Sequence, residues 1–308
     1  MINFRFHLVS LTAVFLALAM GIAMGATVVD RALVDTLEQQ LNGVERRTVR
    51  TNAANQRLEG DVASWERFAA QSGDQLVDGR LAGLPVLLVA VEGADRRVVE
   101  AVRQSIVAAD ASLQATVWLS ERFLLARPED VVALATALGS DAARPEVLQR
   151  QATDRLATAW SGDLAANPLG PLRDARFVEV QAPPGAPDAD PATVPATGTR
   201  IVLVSSGTPA EMNLAVGLPL ARRLGRQPPP RLVAVDAEPA AVTGAVAPFV
   251  GRLRGRPELA GALSTVDSAG DFRSRVAVVL ALAELGSGRT GHYGQGPGAN
   301  RLVPEPAP

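Results

Sequence analysis

Residues 34–69 read VDTLEQQLNGVERRTVRTNAANQRLEGDVASWERFA, and this stretch organises the predicted fold. Its positions 34, 37, 41, 44, 48, 51, 55, 58, 62, 65 and 69 are spaced alternately three and four residues apart, and eight of these eleven are apolar. Such a heptad repeat predicts a long helix whose apolar edge pairs with another helix in a left-handed coiled coil. The candidate seam residues are Val34, Leu37, Leu41, Val44, Asn55, Leu58, Val62 and Trp65.

The partner of this helix is a second copy of the chain, a helix of another protein, or the chain's own head in an intramolecular hairpin. Asn55 falls at an a position, where a buried Asn commonly fixes register and oligomer number. No second heptad run of similar length follows in the sequence, so we favour an intermolecular partner.

An uncharged apolar run, Leu8 to Val29, precedes the heptads. Its 22 residues match the roughly 20 that a helix needs to cross a bilayer. We predict a single-pass anchor over residues 1–30, with the amino terminus in the cytoplasm and the bulk of the chain outside. The membrane that holds the anchor is the cell membrane or an outer layer of the envelope. The alternative is a cleaved secretory signal, with Ala23 and Gly25 as the small residues before the cut.

The composition excludes several classes of protein. The formal net charge of −2 argues against a nucleic-acid binder, which carries a basic stripe. Cys is absent, which excludes disulfides, thiolate metal sites and thiol nucleophiles. The two His residues are His7 and His292, and neither a GxSxG nor an HExxH motif is present. We therefore predict that the protein is not an enzyme and binds no cofactor.

Behind the heptads, apolar runs alternate with helical patterns, which predicts a mostly parallel α/β layered head. We assign the coiled coil to residues 31–79, with a hinge at 71–83, the head to 80–289 and a Gly/Pro-rich tail to 290–308. The Pro-rich loop 182–199 divides the head into what we expect are two similar halves. The predicted strands are Pro85–Val91, Leu113–Leu119, Arg176–Val180, Arg200–Ser205, Leu232–Val235 and Leu263–Val266. The predicted helices are Ala94–Ala108, Glu129–Leu138, Pro145–Trp160, Ala210–Leu224, Val242–Leu253 and Asp271–Leu285, the last ended by a left-handed Gly286.

Three short patterns are candidate sites. Ser205-Ser206-Gly207 follows a predicted strand and is either an anion cradle at the next helix start or an ordinary turn, which we favour. Asp188 and Asp190 in the Pro-rich loop resemble a metal pair, but acids in such a loop are usually solvated. In the tail, His292 and Tyr293 are candidates for contact with another surface or for a single metal ligand, or they fold back and pack against the head, which we favour.

Two segments resemble the actinobacterial copper transporter MctB family, also described as SteB. Ile2-Asn3-Phe4-Arg5-Phe6-His7-Leu8-Val9-Ser10-Leu11 is similar to the start of that family, and Ser264-Thr265-Val266-Asp267 with Gly291-His292-Tyr293-Gly294 is similar to its carboxyl end. The resemblance implies a cell-envelope protein that acts in copper efflux or limits copper accumulation and is described as channel-forming. The resemblance implies that copper is a transported ion. It supplies no copper-ligand motif that could be assigned to particular residues of this chain.

The same resemblance implies a second role, in cell division: a SteB-type scaffold that acts in cell separation with a SteA partner and a peptidoglycan hydrolase bearing a coiled coil. Copper conduits show Met, His or Cys ligands along a path, whereas this chain has four Met, two His and no Cys. Met20 and Met24 lie one helical turn apart in the anchor and are more typical of lipid-facing or packing residues. The copper role is the first expectation, and the coiled-coil scaffold is the alternative.

Overall fold

The computed structural model describes residues 4–162, 167–183, 185, 194, 196, 198–206, 210–237, 249–259 and 261–305. Within helices, the side chains of residues 26–39, 66, 69–71, 73, 74 and 210 lie outside this description. The chain forms two compact units, Met1–Arg67 and Phe68–Pro308, and we call the second unit the head. The domain boundaries predicted after residues 30, 79 and 289 stay predictions.

Helix α1 spans Phe4–Val77 without interruption. Its first part, Phe4–Gly25, is long and apolar enough to cross a membrane, which confirms the predicted N-terminal apolar helix. Pairing of α1 with another helix stays a prediction. Of the hinge predicted over residues 71–83, the part up to Val77 is helical instead, because the helix continues through Gly73 to Val77, whose side chain is buried in the head. The chain turns only afterwards, at Gly79 and Gly83, which have φ values of 64° and 69°.

The head is built on one mixed sheet with the strand order β3-β2-β1-β4-β5-β6-β7. Neighbouring strands are parallel except β2 and β3, which confirms the prediction of a mostly parallel sheet. Strands from both sides of the Pro-rich loop 182–199 join this sheet. The described strands are β1 (Pro85–Val91), β2 (Ser112–Leu119), β3 (Val178–Gln181), β4 (Arg200–Ser205), β5 (Leu232–Asp236), β6 (Ser264–Val266) and β7 (His292–Tyr293).

Helices cover both faces of the sheet, which is why the central strands are apolar on both sides. On one face, α2, α9 and the end of α1 bury residues such as Val99, Leu282 and Val77. On the other face lie α3, α4, α5, α7 and α8, with Trp160 and Phe249 in the core. The helices after α1 are α2 (Arg96–Ala108), α3 (Pro128–Leu138), α4 (Pro145–Trp160), α5 (Leu169–Asp174), α6 (Ala210–Met212), α7 (Leu218–Gly225), α8 (Phe249–Arg254) and α9 (Phe272–Leu285).

Three predicted segments differ in detail from the structure. The strand predicted from Arg176 begins at Val178, because Arg176 has a φ of 60°. Helix α9 ends as predicted, but Gly286 has a right-handed φ of −65° and the left-handed residue is Gly288. Gly286 instead makes room for Arg200: a Cβ there would lie 2.5 Å from the guanidinium. The predicted helix Val242–Leu253 is described from Phe249 onward, and residues 242–248 lie outside the described residues.

Candidate functional site

The carboxyl ends of the parallel strands carry the buried polar residues of the head. The strand order reverses between β1 and β4, and ligands commonly bind beyond the strand ends at such a switch point. Ser205 and Ser206 end β4, Asp236 ends β5 and Asp267 follows β6. All four residues are at most 2% exposed.

A buried hydrogen-bond clamp occupies the end of β4. The Ser205 hydroxyl donates to Asn213 Oδ1 at 2.5 Å, and Asn213 Nδ2 donates to the Ser206 carbonyl. The Ser205 hydroxyl is therefore engaged in holding the strand to the next helix. Gly207 and the two residues after it lie outside the described residues, so the choice between an anion cradle and an ordinary turn at Ser205-Ser206-Gly207 stays a prediction.

A π-helical segment, Asn213–Gly217, lies between α6 and α7, inside the predicted helix Ala210–Leu224. It carries the buried Asn213 toward β4. A Cβ at Gly217 would lie 2.9 Å from Asn213 Oδ1 and 3.5 Å from the Phe249 ring, so only Gly permits this close packing. Irregular turns of this kind are frequent at functional sites, and here the turn places an amide in the clamp.

Asp236 is buried with one carboxylate oxygen unsatisfied. Oδ2 accepts a hydrogen bond from the Val250 amide at 3.1 Å, whereas Oδ1 has no partner within the described part of the chain. Burial raises the pKa of Asp236 to about 7; the Val250 amide and Arg254 oppose this rise, and the nearby Asp267 adds to it. Its carboxyl group therefore exchanges a proton close to neutral pH.

Arg254 and Asp267 form a buried ion pair at the next strand end. Arg254 Nη1 lies 2.8 Å from Asp267 Oδ2, and the two side chains are 4% and 3% exposed. Arg254 also donates to Thr265 Oγ1 at 2.8 Å and to the Tyr293 carbonyl at 2.6 Å. This pair connects α8 and β6 with β7.

The Asp267 carboxylate also fixes the glycine-rich tail. It accepts hydrogen bonds from the amides of Gln295 and Gly296, both at 2.9 Å. Gly294, with a φ of 123°, passes so close to this carboxylate that a Cβ would collide with it. The glycine density of the tail thus serves a close approach within the chain.

The tail candidates His292 and Tyr293 form β7 and pack against the head. Tyr293 is 5% exposed, and its hydroxyl donates to Glu284 Oε2; burial and Glu284 both raise its pKa. His292 Nδ1 lies 3.0 Å from Thr265 Oγ1, and burial, with Arg254 second, lowers the His292 pKa. The geometry agrees with the folded-back alternative rather than with a contact through Tyr293. In the described residues, no group of three or more His, Cys, Asp or Glu side chains is placed to hold a metal ion.

The described seam side chains of α1 are all exposed in the single chain. Leu41, Leu58 and Trp65 are 67%, 62% and 70% exposed, and Val44, Asn55 and Val62 are also exposed. The side chains of Val34 and Leu37 lie outside the description. Asp188 and Asp190 of the Pro-rich loop also lie outside the described residues, so the structure does not test whether they form a metal pair.

Asp236, Arg254 and Asp267 were not predicted from the sequence as site residues. A signal for the two acids was present, because the adjacent strands read LVAVD and STVD and place an Asp at the same edge of the sheet. Arg254 follows no motif, and only the fold brings it to Asp267.

The chain thus combines an N-terminal apolar helix long enough to cross a membrane with a mostly parallel α/β head. The chain belongs to the MctB family: the family model described as "Copper transport outer membrane protein, MctB" matches residues 1–304. This confirms the family resemblance drawn from the terminal segments.

Individual relatives align over nearly the whole chain. Proteins named "Copper transporter MctB" from Mycobacterium bovis (strain ATCC BAA-935 / AF2122/97) and Mycobacterium tuberculosis (strain ATCC 25618 / H37Rv) are each 28% identical over 327 residues. The alignment covers 97% of this chain and 98% of each relative. Both α1, with its apolar first part, and the head therefore fall within the compared region.

Proposed function

We propose that this protein acts in copper homeostasis at the cell envelope, anchored by one membrane helix with its head on the outer side. The observation that carries the proposal is the family match over residues 1–304, with relatives named as copper transporters aligned from end to end. The outward orientation of the head is part of this proposal; Arg5 and the terminal amine, which precede the apolar segment, support it.

The chain offers few soft ligands for Cu(I). Met20 and Met24 lie one turn apart on the anchor, and both are exposed in the single chain. Thioether sulfur suits Cu(I), but two Met residues are a poor site alone. One helix cannot form a pore, so passage of copper requires several chains, whose anchors then bring several Met pairs together.

We expect the full chain in detergent to compete with a chromogenic chelator for Cu(I). Met20→Leu combined with Met24→Leu removes the sulfur ligands and is expected to abolish most of this competition. The matched control is Met212→Leu, which removes a buried thioether in the head and should leave Cu(I) binding unchanged. Absence of competition by the unmodified chain would contradict direct copper handling.

A second candidate function is a coiled-coil scaffold, which the exposed apolar seam of α1 favours. Exposed apolar side chains mark interaction surfaces. Those at Leu41, Val44, Leu58, Val62 and Trp65 have the heptad spacing of a helix partner, with polar residues at the seam positions between Val44 and Leu58. The two roles are compatible, since the same association that buries the seam would assemble the anchors.

We expect Leu41→Asp combined with Leu58→Asp to abolish oligomers of the full chain, measured by chemical cross-linking in membranes. Charges at two seam positions cannot be buried between helices without a large penalty. Val49→Asp is the matched control, because Val49 is 61% exposed on the same helix but lies off the seam. Circular dichroism checks that the head stays folded, and survival of the same oligomer would refute the seam.

A further inference from the structure

Three arginines lie together at the opposite, amino-terminal edge of the sheet, beside the start of β6. Arg222 and Arg226 lie at the end of α7, and Arg256 lies between α8 and the short helical turn Pro257–Leu259. Gly225 fixes this arrangement, because a Cβ there would lie 2.9 Å from Leu263 Cδ2, just before β6. The end of α7 is thereby packed directly against the chain that follows Arg256.

The arrangement concentrates positive charge. Burial lowers the pKa of Arg222, and the positive charges of Arg256 and Arg226 lower it further. Glu258 opposes this effect, and its Oε1 lies 3.5 Å from Arg256 Nη1. In the described part of the chain, Glu258 is the carboxylate that acts on Arg222, and it only partly compensates the repulsion among the three guanidinium groups.

Two donors in this cluster are also unsatisfied. The Nε–H groups of Arg222 and Arg256 are buried and have no hydrogen-bond partner in the described parts of the chain. Buried donors normally find an acceptor, as Nε of Arg254 does with Thr265. Among the described residues, these two donors therefore have no acceptor.

The dipole of α7 alone explains why some of these arginines lie at the end of that helix. Arg222 and Arg223 occupy the last turn of α7, where cations are favoured. Arg223 also pairs with Asp154 at 3.3 Å, so it is compensated. The dipole explains neither Arg256, which lies outside α7, nor the unsatisfied Nε–H groups.

We propose that Arg222, Arg226 and Arg256 bind a phosphoryl anion with two or more negative charges. The planar guanidinium donates pairs of parallel hydrogen bonds to phosphate oxygens, and the negative charge of the anion would offset the repulsion among the three groups. The phosphoryl group comes from a soluble phosphate compound or from a phospholipid headgroup.

The test uses the full chain in neutral detergent, titrated calorimetrically with inorganic pyrophosphate at low ionic strength. We expect saturable binding that weakens with added salt. Arg222→Gln combined with Arg256→Gln should weaken binding by about tenfold or more, because two charge-assisted contacts are lost. Arg226→Gln is a second test variant at an exposed position, where folding is not at risk.

The matched control is Arg223→Gln, which removes the same charge from the same helix turn and should leave pyrophosphate binding unchanged. A second arm adds short-chain phosphatidic acid, whose phosphomonoester carries up to two negative charges, as a competitor: displacement of pyrophosphate identifies a lipid headgroup, and its absence identifies a soluble phosphate. The proposal is overturned if neither probe binds the unmodified chain, or if Arg223→Gln weakens binding as much as the cluster variants.

Discussion

Arg254→Ala is expected to lower the free energy of unfolding of the head by about 3–5 kcal/mol. Arg254 and Asp267 are both almost completely buried, so removing the guanidinium leaves an uncompensated carboxylate in the interior. The variant also loses the hydrogen bonds to the carbonyls of Tyr293 and Pro297, which hold the tail. Few single substitutions outside a core have an effect of this size.

Urea unfolding of the full chain in detergent measures this loss through the fluorescence of the buried Trp118 and Trp160. Arg273→Ala is the matched control, because Arg273 pairs with Asp271 at 2.5 Å in a partly exposed position. Exposed pairs contribute about 0–1 kcal/mol, so this control should unfold almost like the unmodified chain. Similar unfolding curves for the two variants would show that the buried pair does not hold the head together.

The sheet of the head was predictable because its central strands are fully buried. Pro85–Val91 and Arg200–Ser205 have the predicted bounds, since continuous apolar runs between turn residues have few alternatives to a strand covered on both faces. The two-residue strand β7 was not predictable. It exists because Arg254 and Asp267, distant in sequence, bind its backbone and the glycines after it.

The hydrogen bonds of the buried polar residues were likewise not predictable from the sequence. Ser205 was recognised from its place after a strand, but its hydroxyl bonds to Asn213 because a π-helical segment turns that amide inward. A π-helical segment cannot be predicted from the local sequence, because it depends on the packing of Gly217 against Phe249, which is distant in the sequence. The seam of α1 shows the opposite situation. Its heptad pattern is clear in the sequence, but the structure contains one chain, so the helix that pairs with the seam stays a prediction.

Asp236→Asn is expected to make the head more stable at alkaline pH and to remove part of its pH dependence. The pKa of Asp236 is raised in the folded state, so the folded head binds this proton more tightly than the unfolded chain does. Its stabilising contribution is complete below the ordinary pKa of 3.8 and is lost as pH rises through about 7. Asn keeps an oxygen for the Val250 amide and cannot ionise.

The stability difference between Asp236→Asn and the unmodified chain should therefore rise by roughly 2–3 kcal/mol between about pH 5 and about pH 8. Urea unfolding at each pH measures it, and taking the difference cancels other titrating groups such as His292. Asp130→Asn is the control of opposite sign, because hydrogen bonds from Arg127 and Arg122 hold the pKa of buried Asp130 below its ordinary value. Asp130→Asn should be less stable than the unmodified chain by an amount that stays constant between about pH 5 and about pH 8. If the stability difference for Asp236→Asn is also constant over this range, the raised pKa of Asp236 is contradicted.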